Sequence, residues 1–192
     1  MNRFLLFFTL SICSIAFAAR FLPHLPNFTP IGALALFVGA YVAPKTRWAI
    51  LLPLPLLFIS DILLGFYEWQ IMGLVYGSFL LYGVTGLLIS QKRNPLTIIV
   101  GTFGGALVFF LVTNFGVWAF SSLYEKSFHG LLNAYVFAIP FFKTMLFGDV
   151  IYAGLFFGIY EAVLRYESAG IFSLKSLQKI PFLKAAAYDH RS

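Results

Sequence analysis

The chain has 192 residues, of which 60% are hydrophobic and only 10% are charged, with a mean hydropathy of +0.89. A soluble domain carries roughly 25% charged residues to solvate its surface, so this composition excludes a soluble globular protein. The net charge of +6 comes from basic residues that lie between and after apolar stretches. That distribution is typical of membrane orientation signals and gives no nucleic-acid-binding face.

Six apolar runs follow one another and predict an all-α membrane protein, a bundle of about six transmembrane helices. Several runs hold more than 18 residues with one or two charges, and none alternates polar and apolar residues as barrel strands do. The second run is short and reaches spanning length only by including residues 28–30. The predicted spans are 4–19, 28–43, 48–66, 71–90, 96–118 and 139–164, which together give a transmembrane bundle over residues 1–165.

The first run has a second interpretation. Met1–Ala19 combines a basic residue, Arg3, with an apolar centre and a small-residue pattern at Ala16–Ala18. The same features are typical of a cleaved signal peptide. Cleavage would remove one span without reversing the orientation of the others, and the sequence leaves both interpretations open.

The basic residues predict that both termini lie in the cytoplasm, with the chain in the cell's inner (plasma) membrane. Threading six spans puts ten basic residues on one side and only Arg20 and Lys126 on the other, and basic loops stay cytoplasmic. The loops near residues 20–30, 67–70 and 119–138 then face outward. The basic tail, residues 166–192, is expected to lie on the anionic inner leaflet as an amphipathic helix, or to be a solvated tail.

Polar side chains within the predicted spans gather towards the outer side. Ionisable groups inside a membrane are costly and are usually functional. The pattern predicts an outward-opening pocket for a small-molecule solute, capped by residues 20–30. We expect Lys143 to hold an anionic group and Asp149 a cation, amine or hydroxyl. The candidate ligand-binding residues are His24, Asn27, Thr29, Asp61, Asn114, Trp118, Lys143 and Asp149.

Each candidate also has a structural interpretation. Lys143 can extend to the membrane interface, Asp61 can satisfy backbone groups freed by nearby prolines, and Asn114 can join two helices by a hydrogen bond. Trp118 fits an ordinary interfacial aromatic belt. Asp149 is predicted to lie deepest, so it needs a partner.

Four segments together resemble a bacterial family of small membrane proteins of unassigned function. That family in turn resembles the substrate-capture subunits, or S components, of energy-coupling-factor transporters. The resemblance implies six helices, an outward pocket and a first outer loop that closes over a vitamin or a metal ion. It also implies a partner, a transmembrane coupling protein with ATPases. The segments are RFLPHLPNFTPIGALALFVGAY (20–41), SDILLG (60–65), TNFGVW (113–118) and YVFAIPFFKTMLFGDVIY (135–152).

The leading hypothesis is therefore a membrane-embedded solute-binding or transport subunit without cofactor, metal or catalysis. One alternative is a membrane scaffold in envelope assembly, since Gly154 and Gly158 have the spacing of a helix-packing stripe. Another is an intramembrane aspartyl hydrolase that uses Asp61 and Asp149 as a carboxylate dyad. The hydrolase is the least favoured because the sequence has no HExxH, GxSxG or phosphate-binding glycine loop.

Overall fold

The computed structural model describes residues 3–23 and 25–168, and every regular element in these ranges is helical. The predicted all-helical class is thereby confirmed for this part of the chain. Between α2 and α3 lie a π-helical turn, Val38–Val42, which continues α2, and a 3-10 turn, Arg47–Leu51. The α-helices are α1 (Arg3–Ala19), α2 (Ile31–Phe37), α3 (Pro53–Leu64), α4 (Trp69–Ile89), α5 (Pro95–Phe120) and α6 (Phe128–Ser168).

Four helical segments are long and apolar enough to cross a membrane. They are Arg47–Leu64, Trp69–Ile89, Pro95–Phe120 and Phe128–Tyr166, whereas Arg3–Ala19 and Ile31–Val42 are shorter apolar helices. At 1.5 Å per residue, the latter covers only about 18 Å of a hydrocarbon core about 30 Å thick. The second predicted span, 28–43, therefore holds a helix too short to cross alone.

The outer faces of the helices are apolar. Leu63, Leu88 and Ile99 are each more than half exposed, as expected of side chains that face lipid rather than water. Trp48 and Trp69 are also largely exposed and lie near helix ends, where tryptophan anchors a chain at the membrane interface. The helices and their surface together describe a membrane protein.

The short helix α2 and its π-helical turn, which together we call the central helix, form the centre of the fold. Every residue from Ile31 to Ala43 is buried, and α2 packs against α1, α3, α4 and α5. Glycines permit the closest of these contacts: a Cβ atom on Gly39 would collide with the carbonyl oxygen of Gly83, and one on Gly86 with that of Leu36. The backbones of the central helix and α4 are thus in direct contact, as at other small-residue helix interfaces in membranes.

Helix α6 differs from the predicted sixth span at both ends. It begins at Phe128 and reaches Ser168, so the prediction of an outer loop over 119–138 is wrong from residue 128 onward. The prediction placed a loop between the fifth and sixth apolar runs, but Ala134 and Ala138 are buried in the helix. The Tyr135 hydroxyl also donates to the carbonyl of Leu111 in α5, at 2.9 Å.

The chain divides into two units, Met1–Phe156 and Phe157–Ser192. The site described below lies within the first unit. The greater part of the predicted tail, residues 169–192, lies outside the described residues.

The glycine contact between α2 and α4 leads to a test with a control on the same helix. We expect Gly86→Ala to lower the free energy of unfolding by about 1–3 kcal/mol, because its methyl group meets fixed backbone that cannot rotate away. Gly77→Ala is the control, since a Cβ atom there has no neighbour within 4 Å. Thermal unfolding of the purified protein in detergent measures both; equal transition temperatures would contradict the contact.

Candidate functional site

A partly open cavity of about 340 Å³ lies at one end of the first unit, which we call the cavity end. There α1 ends, α3 passes into α4, and the loop before α2 crosses the helices. Its lining combines polar and apolar side chains. The lining residues are Arg20, Asn27, Thr29, Leu64, Tyr67, Val75, Phe79, Phe109 and Met145.

A second cavity of about 200 Å³ continues the first between α4, α5 and α6. The two share Asn27, Val75, Phe109 and Met145, so they are adjacent lobes of one space. The second lobe adds the polar side chains of Thr113 and Asn114. A total space of this order suits a small ligand, because ligand pockets in proteins measure roughly 300–1,000 Å³.

Arg20 supplies the positive charge of the cavity and is fixed by a chain of contacts behind it. Its Nη2 donates to Oδ1 of Asp61, and the Tyr76 hydroxyl donates to Oδ2 of the same carboxylate at 2.7 Å. The Asp61 side chain is 3% exposed and that of Arg20 is 19% exposed. Asp61 therefore acts behind the cavity wall: it positions the guanidinium, which reaches the lining.

The Tyr67 hydroxyl also belongs to this wall. Tyr67 lies in the connection between α3 and α4, outside both helices. Burial raises its pKa to about 12; the negative charge of Asp61 acts in the same direction, and Arg20 opposes it. The phenol is therefore protonated at physiological pH and available as a hydrogen-bond donor.

The loop before α2 brings Asn27 and Thr29 to the cavity. Asn27 adopts a left-handed conformation with φ of 61°, which asparagine tolerates better than most residues, and the Phe28 backbone N–H donates to Leu25 at 2.9 Å. The Phe28 ring then packs on Tyr152 of α6, with ring centroids 5.5 Å apart. This tight turn, held to α6 by Phe28, places both polar residues on the lining.

Asp149 lies outside both lobes, buried at the start of the central helix. Its Oδ2 accepts a hydrogen bond from the Tyr82 hydroxyl at 2.9 Å, and the backbone N–H of Ala33 interacts with the same carboxyl group. Its Oδ1 is buried and has no hydrogen-bond partner among the described residues. A Cβ atom on Gly32 would come within 2.5 Å of Oδ1, so the carboxylate rests directly on the backbone of α2. Pro30 occupies the N-cap position of α2 and makes no side-chain hydrogen bond there. Asp149, which belongs to α6, fills the capping role instead.

Arg93 performs the complementary function at the other end of the central helix. Its Nη1 donates to the carbonyl of Ala40 at 3.1 Å, and its guanidinium lies 4.5 Å from the centre of the Tyr41 ring. A helix favours an anion at its N-terminus and a cation at its C-terminus. The buried helix thus has an acidic side chain at its start and a basic side chain at its end.

Of the eight predicted site residues, Asn27, Thr29 and Asn114 line the cavity, and Asp61 acts on it through Arg20. Lys143 is exposed on the outside of α6, because it lies about 240° around the helix from Asp149 and so points away from the buried face.

Three predicted residues remain, of which Asp149 lies outside both lobes, as described above. Trp118 holds the loop after α5, donating from Nε1 to the carbonyl of Glu125 at 3.0 Å, and it does not belong to the lining of either lobe. His24 lies outside the described residues.

These contacts do not favour the carboxylate dyad of the hydrolase alternative. Asp61 is bound to Arg20 and Tyr76, whereas Asp149 is bound to Tyr82 and Ala33, so each carboxylate belongs to a separate cluster. Among residues 3–23 and 25–168, no three His, Cys, Asp or Glu side chains come together in a way that suits a metal ion.

Sequence reasoning missed three residues. Arg20 was one of only two basic residues on the predicted outer side, a signal that marks it as unusual there. Tyr76 and Tyr82 lie inside a long apolar run, where tyrosine is ordinary. Only the packing of α4 against α3 and α6 shows that their hydroxyls bind the two buried carboxylates.

Fold and site define a helical membrane protein with a polar cavity at one end of its bundle. Residues 1–171 match the family described as "Family of unknown function (DUF6580)". Because the match covers most of the sequence, the chain belongs to this family. No curated protein and no solved structure matches the chain.

The capping role of Asp149 predicts a graded response to substitution. We expect Asp149→Ala to cost about 1–3 kcal/mol, because it leaves the Ala33 N–H buried without an acceptor. The Tyr82 hydroxyl keeps its hydrogen bond to the carbonyl of Thr102, at 2.7 Å. Asp149→Asn keeps an acceptor oxygen in place and should cost clearly less. Unfolding in detergent checks the order, and an Asn variant as unstable as the Ala variant would contradict a capping role.

Proposed function

We propose that this protein is a membrane-embedded solute-binding subunit that captures a small molecule, such as a vitamin, for transport. One observation carries the proposal: a cavity of about 340 Å³ gathers Arg20, Asn27, Thr29 and Tyr67 at one end of an apolar helical bundle. Polar groups are costly within a membrane, and a wall that concentrates them around a space is typical of a ligand site.

The charges at the two ends of the helices support an outward-facing cavity in the inner membrane. Arg20 and Lys126 lie at the cavity end, whereas Arg47, Lys92 and Arg93 lie at the opposite end. Because the more basic side of a membrane protein stays in the cytoplasm, the cavity would open to the other side. In this proposal α1 and the central helix complete a bundle of six helices.

The proposal also includes the resemblance to S components of energy-coupling-factor transporters. A cavity at one end, closed on one side by the loop before α2, suits a subunit that captures its solute and depends on others for energy. The resemblance implies a separate transmembrane coupling protein with ATPases, and this is the partner we propose. The solute would then be released towards the cytoplasm.

A scaffold in envelope assembly is the second candidate. A Cβ atom added to Gly73, Gly77 or Gly154 would have no neighbour within 4 Å, so α4 and α6 present small residues that suit docking of another helix. In that case Gly154→Leu would impair the protein's role in the cell, whereas residues of the cavity wall would tolerate substitution.

Filling the cavity tests solute capture directly. Val75 lines both lobes, so we expect Val75→Phe to occupy the space and remove any bound small molecule. Val84→Phe is the matched control: it makes the same change on the same helix, at a side chain that is 40% exposed.

The measurement is mass spectrometry of small molecules that co-purify with each protein in mild detergent. A compound near one molar equivalent in the wild type and in Val84→Phe, but depleted at least tenfold in Val75→Phe, supports capture. If the wild-type protein purifies from its own cells with neither a small molecule nor a partner ATPase, the result contradicts solute capture and favours the scaffold.

A further inference from the structure

Arg20 has more hydrogen-bonding capacity than its protein partners use. A guanidinium carries five N–H donors in a plane, and the bond to Asp61 is made by Nη2 alone. The Nε atom is buried and has no hydrogen-bond partner among the described residues. An unpaired buried donor is costly, so the guanidinium is a group that gains from an additional acceptor.

The cavity is the side from which an additional acceptor can approach the guanidinium. Asp61 and Tyr76 lie behind the guanidinium and form a closed chain of hydrogen bonds, while Arg20 itself is part of the lining. Among the lining residues, Asn27, Thr29 and Tyr67 are uncharged at neutral pH, and within the described part of the chain no carboxylate lines either lobe. The described lining therefore presents the guanidinium of Arg20 together with several neutral polar groups.

We infer that the cavity recognises its ligand by an acid group, a carboxylate or a phosphate, which binds the free N–H groups of Arg20. This inference rests on the proposed function and names the chemical class of the solute. A planar guanidinium matches the two oxygens of such a group. Tyr67 adds a second donor on the same wall.

The apolar part of the lining indicates the rest of the ligand. Val75, Phe79, Phe109 and Met145 also line the cavity, and the ring centroids of Phe79 and Phe109 lie 4.9 Å apart. Such a lining suits a flat apolar or aromatic body. The solute class is thus a small amphiphilic acid, with its acid group at Arg20 and its apolar part between α4, α5 and α6.

Asp61 makes this recognition specific. Because Asp61 neutralises Arg20, the site does not attract anions by net charge, and recognition depends on directed hydrogen bonds. The pairing also keeps a buried arginine in place when no ligand is present, since a lone buried charge is unfavourable.

The test compares acids with their neutral counterparts on the full chain in detergent. The probes are aromatic carboxylic acids of graded size and the primary amide of each, with binding measured by native mass spectrometry. The variants are Arg20→Gln with Asp61→Asn, which removes both buried charges together, and Arg20→Lys, which keeps the ion pair but loses the planar fork. Arg47→Gln, an exposed arginine at the opposite end, is the matched control.

We expect acids to bind the wild type and Arg47→Gln at least about tenfold more tightly than the amides, as the loss of a charge-assisted hydrogen bond predicts. This preference for acids should vanish in the double variant and weaken in Arg20→Lys. If the double variant does not fold, Arg20→Lys alone provides the test. Acids and amides that bind the wild type equally would overturn the inference and leave solute capture standing. If no probe binds and Val75→Phe changes nothing, both proposals fail.

The same preparation identifies the source of the acid group. A water-soluble acid that co-purifies with the wild type and is lost from both Arg20 variants indicates a transported solute. An anionic phospholipid that behaves in this way supports acid recognition with a lipid headgroup as the ligand. A co-purifying solute that is neutral or cationic would contradict the inference.

Discussion

The complete burial of one short helix is the constraint on which the rest of the structure depends. The segment from Ile31 to Ala43 is enclosed on every side, and neither end can rely on water for its unpaired backbone groups. Asp149 bonds to the first turn and Arg93 to the last. Glycines on α4 let the backbones touch. Because this helix begins just after Asn27 and Thr29, its position also determines where the cavity wall lies.

The two acidic residues within the helical bundle have different structural roles. Asp149 contacts backbone and a tyrosine hydroxyl, so its contribution is to the central helix. Asp61 contacts a cation that reaches the cavity, so its contribution is to the orientation of Arg20. The same residue type, at similar cost of burial, serves the fold in one place and the candidate site in the other. Their separate partners also explain why neither requires the other nearby.

Much of the fold was predictable from composition and the length of apolar runs. The runs near α4 and α5 predicted helices whose ends differ from those observed by only one or two residues. At the start of α5, Pro95 and the reciprocal Asn94–Thr97 hydrogen bonds define the boundary. The early start of α6 was not predictable, since His129, Gly130 and Asn133 suit a loop. Their helical conformation depends on packing against α5, which local sequence does not reveal.

The site was predictable in part, for a similar reason. Asn27, Thr29 and Asn114 line the cavity because polar side chains near helix ends in a membrane protein are costly to expose to lipid and therefore face a cavity or the bundle interior. Lys143 followed the same reasoning and lies outside, since the face of a helix is determined by its neighbours. Arg20, Tyr76 and Tyr82 required the structure, because each matters through a partner distant in sequence, such as Asp149 for Tyr82, 67 positions away.

The ends of the central helix have a consequence for biogenesis. Its N-terminal partner, Asp149, belongs to α6, and its C-terminal partner, Arg93, belongs to the connection between α4 and α5. During synthesis, the segment leaves the ribosome before either residue has been made, and it is too short to insert as an independent span. Its buried environment is therefore complete only after α6 has been added, so that the entry of the first helices into the membrane and the closure of the bundle are separate events.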